Sequence, residues 1–169
     1  MRRREYRAVA LSSLFALMCL AGCGRPSAPA GGSPATASGP YAPGLGELMS
    51  LQQMRHIKLW FAGEAGNWDL ATYEIDELGE GFDDIVTLHP THKDSPVAPK
   101  DAIPRMVTQP LADLRAAASH RDRAAFEAAY DGFTAACNNC HQAMNFGFNR
   151  VQRPTTNPYS NQVFSPPSR

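Results

Sequence analysis

Two cysteines and a histidine stand together in Cys137-Asn138-Asn139-Cys140-His141, 28 residues before the end of the chain. Thiols three positions apart share one face of a helix, and three chemistries use such a pair. A thioredoxin-like redox site needs its first cysteine at a helix N-terminus following a strand; here the pair falls in the last turns of a predicted helix with no strand before it. A structural zinc site needs four ligands, and only His89 and His92, both in a loop, could supply the rest. Covalent attachment of haem through Cys-x-x-Cys-His explains all five positions: each sulfur adds across one vinyl group, and His141 is carried to the iron as proximal ligand.

The remaining cysteines leave no disulfide framework to build. The chain opens with Met1-Arg2-Arg3-Arg4, an apolar run from Ala8 to Leu20, and Leu20-Ala21-Gly22-Cys23. That order is an export signal, too short to span a bilayer as a helix. Its last four residues resemble the lipobox of bacterial lipoproteins, which implies cleavage before Cys23 and lipidation of that cysteine. Acyl chains contribute about 0.8 kcal/mol per buried methylene, so two or more make a firm anchor. The expectation is a protein on the periplasmic side of a membrane, and Gly24 after the lipidated position favours the outer membrane over the inner. Export also suits the motif, since bacteria attach haem c outside the cytoplasm.

Cys19 leaves with residues 1–22, so Cys137 and Cys140 are the only unmodified cysteines expected in the mature chain. The whole chain carries 16 basic and 16 acidic residues. Without the first 22 it carries 12 and 15, a net charge near −3. No basic stripe remains, which argues against nucleic acid as a partner. Paired carboxylates, a Ser/His/Asp set and a phosphate loop are all absent, so an electron carrier or ligand-binding protein is expected in place of an enzyme.

The elements that position the motif follow from periodicity. Residues 23–43 combine the lipidated cysteine with a Gly, Pro, Ser and Ala-rich linker. Beyond it the pattern is helical, predicting an all-α domain over 44–144. Its segments are a first helix near 44–64, a second near 68–88 capped by Asn67, a loop over 89–103, a third helix from Pro104 or Pro110 to Ala118, and a fourth over 122–144. In the fourth, Phe126, Tyr130, Phe133, Cys137, Cys140 and Met144 recur at spacings of four and three, so both thiols lie in the core-facing seam. Residues 145–169 lack periodicity and are expected to wrap the surface as an irregular extension.

A motif near the end of the last of four helices, with Phe133 one turn before the first cysteine, resembles the cytochrome c′ family across residues 44–144. The resemblance implies an antiparallel four-helix bundle with one covalent haem c, a first helix covering the distal face of the iron, and a homodimer. On that first helix Leu48, Leu59, Gln52, Leu45, His56 and Met49 share one arc, which makes His56 the leading distal ligand and Met49 the second. The alternative is a core His56 bonded to Glu74 or Glu77, leaving the iron five-coordinate. Two strong ligands mean electron transfer with a redox partner protein; an open position means binding of diatomic ligands such as NO or CO. A haem-free tethered interaction domain is the reading from another class.

Other candidates are weaker. Arg150 and Arg153 could pair with haem propionates, and His89, His92 and Asp94 could form a surface metal site. Glu74, Asp76, Glu77, Glu80, Asp83 and Asp84 read as an acidic face of the second helix.

Overall fold

A computed structural model describes residues 41–93 and 95–168, so the signal, the lipidated Cys23 and most of the linker lie outside the described residues. The described residues form five helices and no strand: α1 (Leu45–Glu64), α2 (Trp68–Leu88), α3 (Pro99–Met106), α4 (Thr108–Ser119) and α5 (Arg123–Ala143). None of the described helices is long and apolar enough to cross a membrane.

The same turn joins α1 to α2 and α4 to α5. At the first, Gly66 adopts a left-handed φ of 69°, and the N–H groups of Gly66 and Asn67 return to Gly63 O and Ala62 O. At the second, Arg121 at φ 54° does the same, with Arg121 and Asp122 returning to Ala118 O and Ala117 O. Both are Schellman endings, which satisfy the last carbonyls of a helix and reverse the chain. The residue that leaves each turn then caps the next helix, Asn67 accepting from Leu70 N–H and Asp122 from Ala125 N–H.

The third helix differs from the expectation. It opens at Pro99, inside the segment expected to be a loop, with Ala98 extended before it. Proline suits that first position because the N–H there has no partner anyway. Pro104 falls inside α3, whereas Pro110 sits in the first turn of α4, close to one of the two expected starts. Each lacks a donor for the carbonyl four residues back and crowds it. Pro110 therefore ends α3 at Met106, and the chain breaks into α3 and α4 at Val107, whose φ is −113°.

The core is aromatic along α5. Phe126, Tyr130 and Phe133 are fully buried, facing Leu59 from α1, Ile75, Leu78 and Ile85 from α2, and Leu114 from α4. Trp60 stacks on Phe126 at 6.5 Å between ring centroids, and Trp68 meets Phe126 edge-on at 5.7 Å. Close approach of α1 to this row depends on Gly63, where a Cβ would collide with the Phe126 ring. Gly81 likewise leaves room for the side chains of Arg55 and Gln52, and Gln52 donates to Leu78 O at 2.8 Å.

Beyond α5 the chain is irregular but held down. Phe164 is buried against Phe61, with ring centroids 5.7 Å apart, and Lys58 lies over the Tyr159 ring at 5.4 Å.

These contacts separate two glycines in stability measurements. Gly63→Ala overpacks a filled site and is expected to lower unfolding free energy by about 1–3 kcal/mol. Gly132→Ala, on an open face of α5 with nothing near its Cβ, is expected to raise it by about 0.5–1 kcal/mol. Urea unfolding of both variants checks the difference.

Candidate functional site

The end of α5 carries its three reactive side chains into one cleft. Cys137, Cys140 and His141 line it together with Met49, Gln52 and His56 from α1. Leu78 and Phe82 of α2, Pro99 and Ile103 of α3 and Phe133 of α5 supply apolar wall, and Phe146 and Asn149 contribute from the extension. The cavity volume is about 230 Å³, just below the usual range of enclosed small-molecule pockets.

Neither thiol is bonded to another cysteine. Burial pushes the Cys137 thiol up to about 12 and raises Cys140 as well. Both therefore keep their protons at neutral pH, the reverse of the lowered pKa that a dithiol exchange site needs. Cys140 also contacts Met144, sulfur to sulfur, at 3.8 Å. Among the described residues no three His, Cys, Asp or Glu side chains converge as a metal-ligating group. His89 is turned away to Pro43 O at 2.9 Å, and His92 packs on Phe146 with centroids 5.6 Å apart. They do not complete a four-ligand site with the cysteines, and Asp94 lies outside the described residues.

His141 is oriented through one nitrogen. Its Nδ1 lies 2.6 Å from the backbone oxygen of Asn149, to which only an N–H can donate. The contact thus places a proton on Nδ1, and in the neutral ring the lone pair is then on Nε2. This is the tautomer of a histidine held ready to ligate a metal. The carbonyl reaches it because α5 closes in a third Schellman turn. Asn145 has φ 67°, Asn145 N–H returns to Gln142 O, and Phe146 N–H returns to His141 O at 2.7 Å. Phe146 packs beside Cys140 and Met144, the apolar contact that accompanies this ending.

His56 is also brought to the cleft, but both its nitrogens are taken. Thr134 donates its hydroxyl to Tyr130 O at 2.8 Å, so its oxygen accepts from His56 Nε2–H at 2.8 Å. Nδ1 then carries no proton, and the single proton of the Tyr130 hydroxyl is shared between His56 O and His56 Nδ1, each 2.9 Å away. The carboxylate partners expected on α2 are not the ones found. A helical wheel shows which face is buried, not which side chain on the opposing helix meets it. Two hydroxyls of α5 do so here. His56 is 4% exposed, and its burial lowers the pKa to about 4, so it is neutral at pH 7. Releasing Nε2 or Nδ1 to a metal would give up one of these ring contacts, although the Thr134 and Tyr130 hydroxyls would each keep a backbone carbonyl, Tyr130 O and His56 O. Met49 lines the same cleft and carries a thioether with no such commitment.

The two arginines of the extension and the acids of α2 lie away from the cleft lining. Arg153 forks onto Asp131, with Nε–Oδ1 at 3.0 Å and Nη2–Oδ2 at 2.6 Å, and stacks on Trp60 at 4.2 Å. It is committed away from the cleft, and Arg150, exposed, does not line it either. Glu74 is not part of an acidic surface: it is 2% exposed, and burial raises its pKa. Asp76, still exposed, pairs with Arg115 and Glu77 with Arg55, leaving Glu80, Asp83 and Asp84 of these six exposed and outside the ion pairs among the described residues.

The contribution of Asn138 and Asn149 was not foreseen. Asn138 exchanges two hydrogen bonds with the backbone of Val151, each 2.9 Å. Asparagine at two spacer positions of the motif was the one signal that could have suggested such a role. Compared with protein-family models, curated proteins and solved structures, the chain matches none of them.

The buried imidazole gives a pH dependence of defined sign. Its folded pKa of about 4 lies below the ordinary 6.5, so below pH 6.5 the unfolded chain binds the proton first. The stability associated with neutral His56 is complete above about pH 6.5 and declines as pH falls toward 4. At about 1.4 kcal/mol per unit the loss is at most about 3.5 kcal/mol. Urea unfolding at pH 7 and pH 4.5 is expected to show a larger decline for the native sequence than for His56→Gln.

Proposed function

We propose that this chain carries one haem c, bound through Cys137 and Cys140 with His141 as axial ligand, and that it transfers electrons. The observation that carries the reading is the 2.6 Å contact of His141 Nδ1 with Asn149 O, beside both thiols on one cleft wall. It leaves Nε2 as the metal-binding atom, as histidine ligands with a carbonyl partner do. The protonated thiols suit the same role, because the bond made is a thioether and not a metal thiolate. When bound, the haem supplies an iron that accepts and returns one electron, attached by addition of each S–H across a vinyl group.

The chain's own residues hold and shield the group. Leu78, Phe82, Ile103 and Phe133 exclude water from its faces, and α3 with α4 form the third member of a four-helix bundle broken at Val107. The open side of the cleft leaves an edge near solvent, where a redox partner protein could approach. Lipidation of Cys23 places the domain on the periplasmic side of a membrane, the outer one favoured by Gly24. The resemblance to cytochromes c′ supports the bundle and the motif position, and it brings a homodimer with it.

Because both nitrogens of His56 are committed, Met49 takes the lead as sixth ligand. The same observation favours a second reading, a five-coordinate iron that binds NO or CO. Optical spectra with and without CO separate the two. A low-spin spectrum unchanged by CO is expected, with Met49→Leu converting it to a high-spin, CO-responsive form and His56→Gln leaving it low-spin. A native spectrum already high-spin and shifted by CO assigns diatomic binding instead.

A further inference from the structure

We propose that Asn138, a spacer residue of the motif, positions Asn149 O on His141 Nδ1 and thereby sets the donor strength of the axial ligand. The inference rests on the haem reading above. Three observations carry it.

First, the carbonyl that orients His141 does not belong to a helix or to a neighbouring element of the core. It sits in the extension, eight residues past the histidine, on a segment whose backbone makes few bonds of its own. Asn149 N–H donates to Phe146 O at 2.8 Å, and the Asn149 side chain adds no hydrogen bond. Something must hold this segment in place, since each ordered residue costs about 1–2 kcal/mol of backbone entropy.

Second, Asn138 supplies that hold with complementary geometry. It lies three residues before His141, on the same helix face. Its amide oxygen accepts from Val151 N–H and its amide nitrogen donates to Val151 O, both at 2.9 Å. The pair fixes the peptide units on both sides of Val151, two residues from the carbonyl in question. Aspartate would keep only the acceptor, and an apolar residue would keep neither.

Third, the ends of the segment are anchored independently, so Asn138 controls the middle. The left-handed Asn145 and the packing of Gly147 against Gln142, where a Cβ would strike the amide, fix one end. The Arg153 fork on Asp131 and its stacking on Trp60 fix the other.

Donation from Nδ1–H to a carbonyl makes the imidazole a more basic ligand. A more basic ligand favours ferric over ferrous iron, and second-shell bonding is one of the protein's levers on potential. Asn138→Ala is therefore expected to shift the ferric/ferrous equilibrium toward ferrous by about tenfold, a rise of about 59 mV for a one-electron couple. The iron–histidine stretching frequency of the ferrous CO-responsive Met49→Leu background is expected to fall in the same variant. Asn139→Ala, at the exposed neighbouring spacer, is the control and should change neither.

A measurement on the haem-free full chain covers the case in which Asn138→Ala fails to load. Nitrogen-15 shifts of His141 are expected to report the Nδ1–H tautomer in the native sequence and a shift toward Nε2–H in Asn138→Ala. A loaded Asn138→Ala protein with unchanged potential, or an unchanged tautomer in the haem-free chain, overturns the proposal. A native protein that never takes up haem overturns the functional reading instead.

Discussion

The carboxyl end of α5 is where the physical demands of this fold meet. The last carbonyls of a helix need partners, and the His141 ring beside them needs a partner to fix its orientation. Both are met by one reversal of the chain. Asn145 takes a left-handed conformation, Phe146 N–H returns to His141 O, and the segment that follows passes back over the histidine with Asn149 O on Nδ1. If the turn is lost, the helix end frays and the imidazole rotates. The extension therefore belongs to the site and is more than a covering of the surface.

The opposite wall depends on a second constraint, the burial of a neutral histidine. His56 crosses from α1 to α5 by way of Tyr130 and Thr134, with every ring nitrogen and hydroxyl paired. Fully satisfied buried polar networks fix one arrangement of the surrounding elements, while a partly satisfied one destabilises them. The network sits one to two turns before Cys137 and so sets the distance between α1 and the motif. It also commits both ring nitrogens of His56 to hydrogen bonds, while Met49 on the same cleft carries a thioether with no such partner.

Much of this was legible from residue order. The helical pattern beyond the linker, the Asn67 cap and the apolar spacing of α5 placed three helices within a residue or so of their observed bounds. Those signals are local, and local signals survive folding. What was not legible depended on conformations or partners that residue type does not specify. Arg121 and Asn145 adopt left-handed φ without being glycine. Pro99, and not a later proline, opens the third helix because the segment before it is extended and ends at Ala98. The partners of His56 and Arg153 come from elements 74 or more and 22 residues away, respectively, and a wheel cannot choose among them. Asn138 was visible only as a spacer, since its role exists only once the extension has folded back.

The central claim is covalent: two sulfurs of α5 joined to one porphyrin. The direct measurement is a pyridine haemochrome spectrum, with intact mass, of the full chain produced in a host competent for cytochrome maturation. The expected result is a haem whose two vinyl groups are both saturated, retained through denaturation and lost when Cys137 and Cys140 are replaced by alanine. A colourless product whose mass is that of the polypeptide and its lipid alone contradicts it.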